Sequence, residues 1–103
     1  MAFLGLTVKA GNLTFGYSGV KDDVEKSKIK LVLFASDLSS KSKEKMISFL
    51  ERKGIEHIGV KEKMSDIFDC TGKYSGVLGV KNDGMASRLK ELNEDRSWEG
   101  INL

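Results

Sequence analysis

The run Leu31-Val32-Leu33-Phe34-Ala35 is apolar at five successive positions, between Lys30 and Ser36. Side chains of a strand alternate between two sides, so a strand that is apolar on both must be covered on both. That requirement confines the chain to a layered α/β arrangement, with helices above and below a sheet. The rest of the pattern supplies the layers. Leu13-Thr14-Phe15, Ile55 to Val60 and Val77 to Val80 read as further strands, with Ile58 and Val60 turned inward.

Helical spacing fills the gaps between strands. Phe3, Leu4, Leu6, Thr7 and Ala10 can line a first helix ending at Gly11. Gly16 to Lys26 carries Val20 and Val24 at i,i+4. Ser39 or Ser40 can cap a helix with Met46, Ile47 and Leu50 on its apolar stripe. Its stop signal is Arg52 and Lys53 near the negative dipole end, followed by Gly54. Ser65 to Thr71 is a short helix with Ile67 and Phe68, and Asn82 or Asp83 can cap a last one with Met85, Leu89 and Leu92. One domain over residues 1–92 is expected, then a polar tail over 93–103 that Trp98 can pin to the body.

Composition sets bounds. No apolar run is long enough to span a membrane, and the opening segment has no basic n-region or cleavage-type site. Cys70 is the only cysteine, so no intrachain disulfide forms, which fits a reducing cytoplasm. Residues 1–53 carry ten basic and six acidic side chains, whereas residues 54–103 carry seven and nine. A basic face on the first half, or a mixed solvated surface, accounts for that imbalance.

Four segments in order carry a resemblance: FLGLTVKAGNLTFG, KIKLVLFASDLS, TGK and VLGVKNDGMASRL. Together they are similar to the ribosomal kink-turn RNA-binding family, ribosomal proteins seven-Ae and thirty-e, and to its small bacterial YlxQ-type branch. The resemblance implies a three-layer α/β/α sandwich around a four-stranded mixed sheet. It also implies binding to a kink-turn, a sharply bent RNA internal loop. Family members place a glycine after the first strand, then Asn, Glu and Lys at two, three and six residues beyond it. Here those positions are Gly16, Ser18, Gly19 and Asp22, so only the glycine matches. Asp22 puts a negative charge where the family places a cation. Lys21 is adjacent but turned by about 100° around the helix.

The residues also make a physical case of their own. A helix starting at Gly16 leaves N–H groups unpaired at its positive end. Gly16 and Gly19 admit close approach, Ser18 can donate or accept, and Tyr17 offers a ring for stacking. Ser39 to Lys45, with Lys41 and Lys43, can contact phosphates. The resemblance implies that the loop Gly72-Lys73-Tyr74-Ser75 touches an extruded nucleotide, on which Tyr74 can stack while Lys73 neutralises. For each segment the plain alternative is an ordinary turn or a solvated helix start.

Other chemistries lack their parts. Asp37 and Lys81 resemble a phosphoacceptor pair, but the acidic pair that holds magnesium in receiver domains is replaced by Gly16-Tyr17-Ser18. Asp37 is better read as bracing the turn into the next helix. His57 stands without a ligand cluster and reads as a strand-face side chain, and Cys70 as a packed thiol. No phosphate-binding or dinucleotide glycine pattern occurs. The expectation is a non-enzymatic protein without metal or cofactor, binding structured RNA, with the ribosome and protein partners as further candidates. The competing expectation is a protein-interaction module on the same fold that has lost RNA recognition.

Overall fold

The computed structural model describes residues 13–87 and 89–91. The helix expected over Phe3–Ala10, the tail with Trp98 and the side chain of Cys70 lie outside the described residues. The elements are β1 (Leu13–Phe15), α1 (Tyr17–Glu25), β2 (Leu31–Phe34), α2 (Ser40–Lys53), β3 (Glu56–Gly59), α3 (Met64–Thr71) and β4 (Val77–Val80). A last helical stretch occupies residues 83–87 and 89–91. It is capped by Asn82, whose Oδ1 accepts the Met85 N–H at 3.0 Å.

The sheet is mixed, in the order β1-β4-β2-β3. β4 runs antiparallel to both β1 and β2, and β3 runs parallel to β2. Every residue of β2 is buried, as its sequence demands. Leu31, Leu33 and Ala35 join Leu78, Val80, Ile67, Ala86 and Leu89 in one cluster. Val32 and Phe34 join Val20, Val24, Met46, Phe49 and Leu50 in the other. The period of two along β2 therefore separates two cores, one under α1 and α2, the other under α3 and the last stretch. This is a three-layer α/β/α sandwich.

The α2 boundaries follow local chemistry. The Ser42 N–H donates to Ser39 Oγ at 3.3 Å, and Gly54 closes the helix in the left-handed region at φ 70°. The apolar stripe differs by one residue from expectation. Phe49 is buried beside Met46 and Leu50, while Ile47 is only half-buried. Phe49 faces α1, which the stripe alone does not reveal.

Helix α1 lies close over β4 because Gly79 has no side chain. A Cβ there would come 2.6 Å from Ile29 Cδ1 and 3.3 Å from Val20 Cγ2. The helix is also tied to β1. Thr14 Oγ1 donates to Asp23 Oδ2 at 2.6 Å, and Lys81 Nζ stands 3.9 Å from the same oxygen. The Thr14 hydrogen bond holds the Asp23 carboxyl below its ordinary value of 3.8. A carboxyl depressed in the folded state stabilises above its unfolded pKa, and that stabilisation is lost as pH falls through the folded pKa. Thr14→Val is expected to cost about 1.5–3 kcal/mol at neutral pH, the scale of a hydrogen bond to a charged group. Below about pH 4 its stability should fall less steeply than that of the parent. Thermal melts from pH 7 to pH 2 check both, and parallel acid limbs would reject this role for Asp23.

Candidate nucleic-acid interface

β1, β2 and β3 all finish at one end of the sheet, where β4 begins. Helices α1, α2 and α3 therefore all start at that end. Two of the expected site segments meet there. Gly16 takes φ 89° and ψ 155°, and its N–H donates to Val77 O at 2.9 Å and to Ser75 Oγ at 3.0 Å. The Ser75 hydroxyl in turn donates to Val77 O at 2.8 Å, and the residue is only 8% exposed. One buried hydroxyl thus stitches the Gly72–Ser75 loop to the start of α1. Sequence inspection did not single out Ser75, because its role depends on a partner 59 residues away.

Among the described residues no side chain caps α1. Its first N–H groups and positive dipole end face outward beside Ser18, which is exposed. Tyr17 is half-buried against the α1–α2 core, so its ring is partly committed to packing. Gly19 faces the sheet: a Cβ there would stand 3.3 Å from Thr14 Cγ2. Its lack of a side chain serves the packing of α1 on β1.

The charged candidates divide. Asp22 is exposed and pairs with Lys26 on its own helix at 3.0 Å. This contact raises the Lys26 pKa above its ordinary value. Lys21 is turned towards α2, its ammonium 5.3 Å from the centroid of Phe49. Lys53 lies over the same ring at 5.8 Å and pairs with Glu25 at 3.2 Å. Lys43 leans over Phe34, 5.9 Å from its centroid. Ser39 is exposed and occupied by its capping bond. Lys21 and Lys43 therefore stand on different helices and lean over different rings, while Lys73 belongs to the loop before β4.

In the loop, Tyr74 is 66% exposed and its ring meets that of Phe68 at 6.4 Å between centroids, tilted by 56°. Phe68 is itself 49% exposed. Expected among the apolar residues of α3, it lies about 100° around the helix from the buried Ile67 and so leaves the core. The result is a two-ring aromatic surface next to the loop that contacts Gly16.

The remaining candidates find structural roles. Asp37 Oδ1 accepts the Met64 N–H at 2.9 Å, bracing α3 rather than the helix that follows it in sequence. Lys81 pairs with Asp23 at the other end of the sheet, since Leu31 opposes Val80 and Phe34 opposes Val77. Asp37 and Lys81 are thus held apart. His57 is half-buried on β3, edge-on to Phe34 at 5.7 Å. Among the described residues no group of three or more His, Cys, Asp or Glu could hold a metal ion, and no helix is long and apolar enough to cross a membrane.

Known proteins share this fold. The model of the "Ribosomal protein L7Ae/L30e/S12e/Gadd45 family" matches residues 2–89. An RNA-binding protein YlxQ from Enterococcus faecium is 30% identical over 96 residues, covering 91% of this chain and 90% of the relative. A structure of a protein of unknown function from Bacillus halodurans C superposes with a TM-score of 0.81 at 27% identity, covering 88% of this chain and 92% of the other. The 15.5kD RNA binding protein of Giardia lamblia superposes at 0.69 with 15% identity, covering 86% and 77%, which speaks to the fold.

Proposed function

The chain belongs to the ribosomal protein L7Ae/L30e/S12e/Gadd45 family, and from that premise we propose that it is a non-enzymatic protein that binds structured RNA of the kink-turn or ribosomal type. The observation that carries this reading is the junction at Gly16. There an uncapped helix start lies beside a loop that presents Tyr74 and Phe68. A helix start attracts phosphate or a base edge, and an exposed ring accepts an unstacked base. The similarity to an RNA-binding YlxQ protein supports the same class of ligand. Gly16, Tyr17, Ser18, Gly19, Lys21, Asp22, Ser39, Lys43, Lys73 and Tyr74 are the residues assigned to this interface.

Asp22 sets the expected strength. It places a carboxylate on the exposed side of α1, neutralised only in part by its solvent-exposed ion pair with Lys26. Affinity for a kink-turn should therefore be weaker than with a cation there. Titration of a kink-turn RNA and of ribosomal RNA at low and moderate salt tests the assignment. Binding that weakens with salt is expected, and no binding to either RNA at low salt would overturn it. Asp22→Lys should tighten binding at low salt roughly tenfold, the scale of one added charge-assisted contact. An unchanged affinity would place the RNA surface elsewhere. Pull-down with and without ribonuclease separates RNA-borne partners from a protein-binding role on the same fold.

A further inference from the structure

We propose that the exposed face of α2 is a phosphate-tracking stripe that holds an RNA duplex stem running away from the Gly16 junction. The inference rests on the RNA-binding reading above and extends it along α2, from the Ser39 end to Arg52. Lys41, Lys45, Ser48 and Arg52 are spaced i, i+4, i+7 and i+11 along α2, and all four are exposed. At about 100° per residue they fall within an arc of about 60°, and at 1.5 Å per residue the stripe is about 16 Å long. Lys43 lies off this arc and leans instead over Phe34.

Charge pairing leaves the stripe cationic. Two carboxylates of α1 are engaged elsewhere, Asp22 with Lys26 and Asp23 with Thr14 and Lys81, while Glu25 shares a cleft with Arg52 and Lys21 but pairs there with Lys53 at 3.2 Å. On α2 the two acidic residues, Glu44 and Glu51, border the stripe on its Lys41–Ser48 side, about 40–80° away, and fall about 80–120° from the flank that holds Lys45 and Arg52, which is the more cationic side. Lys21 extends the stripe from the neighbouring helix, because Phe49 holds its ammonium beside α2. An ammonium held against a ring keeps its charge and loses little freedom on meeting a phosphate.

Position gives the stripe its occupant. Its Lys41 end is two residues from Ser39, at the same end of the sheet as Gly16, and its Arg52 end points away. The strand of an RNA stem that leaves the junction meets successive phosphates along such a line. Three cations in a row suit a polyanion of fixed spacing better than a compact anion. No aromatic side chain lies on the stripe, so it tracks backbone and does not read bases.

The test compares Lys41→Gln/Lys45→Gln/Arg52→Gln with Lys28→Gln/Lys30→Gln/Lys61→Gln. Both remove three exposed charges, and none packs in the core. Circular dichroism melts establish that both fold. Binding to a kink-turn RNA with a long stem is followed against salt. The stripe variant should lower the slope of log Kd on log salt by about 2–3, since each phosphate contact contributes about 0.7–0.9. The control should change it by less than one. Shortening the stem should abolish the difference between stripe variant and parent. Equal slopes in the two variants, with the parent still binding, would overturn the stripe and leave the junction reading intact. Stripe-dependent binding to a straight duplex, with no preference for a kink, would support the stripe and count against the kink-turn. No binding of the parent to either RNA would overturn both.

Discussion

Phe34→Ala should lower stability by about 3–5 kcal/mol, the cost of emptying a large buried aromatic site. Among the described residues Phe34 is the largest fully buried side chain, and it lies on β2, between β4 and β3. Its ring is met edge-on by His57 at 5.7 Å and covered by Lys43 at 5.9 Å. Removing it therefore withdraws contacts from the sheet, from α2 and from a surface lysine together. Domains of this size are stable by only about 5–15 kcal/mol. The denaturant midpoint should fall steeply, and Phe34→Leu should recover part of it. A loss below about 1 kcal/mol would mean that the α1–α2 core is not packed as described.

Gly16→Ala should reach both stability and binding. At φ 89° and ψ 155° the backbone lies in a region that is nearly exclusive to glycine, and holding another residue there costs about 1–3 kcal/mol. Among the described residues, chain neighbours aside, no atom lies within 4 Å of the Cβ that alanine would add, so the penalty is backbone strain and not collision. Relief of that strain would rotate the N–H away from Ser75 Oγ and Val77 O, and the loop bearing Tyr74 would lose its anchor. RNA affinity should then fall by more than in Val24→Ala, a substitution that weakens α1 from its buried side. If the two variants are matched in melting temperature and also in RNA affinity, Gly16 serves the fold alone.

Much of the candidate interface is legible in the sequence. Gly16 was marked by its place between a strand and a helix, and Ser39 by its place before an amphipathic run. Tyr74 was marked by its loop. Other parts were not. Phe68 reads as a core residue until the orientation of α3 is known, because an eight-residue helix specifies its apolar face poorly. Asp23 looks like one more surface carboxylate until Thr14 is brought to it across β1 and α1. Asp37 was expected to brace its own neighbour, yet it accepts a hydrogen bond from Met64, 27 residues on.

The Leu31–Ala35 run by itself determined that helices must cover both sides of a sheet, because alternation leaves no polar side to face water. Local spacing likewise determined the stop at Gly54 and narrowed the start to Ser39 or Ser40, because such interactions close within one turn; the structure selects Ser39. Only the tertiary structure decided that the Gly16 turn and the Gly72–Ser75 loop form one surface. It also decided that Lys21 serves α2 and that Asp37 and Lys81 are held apart. These depend on strand order and direction, which join residues far apart in the chain. The period of a sequence specifies which side a residue faces; it carries no information on which strand will lie beside it.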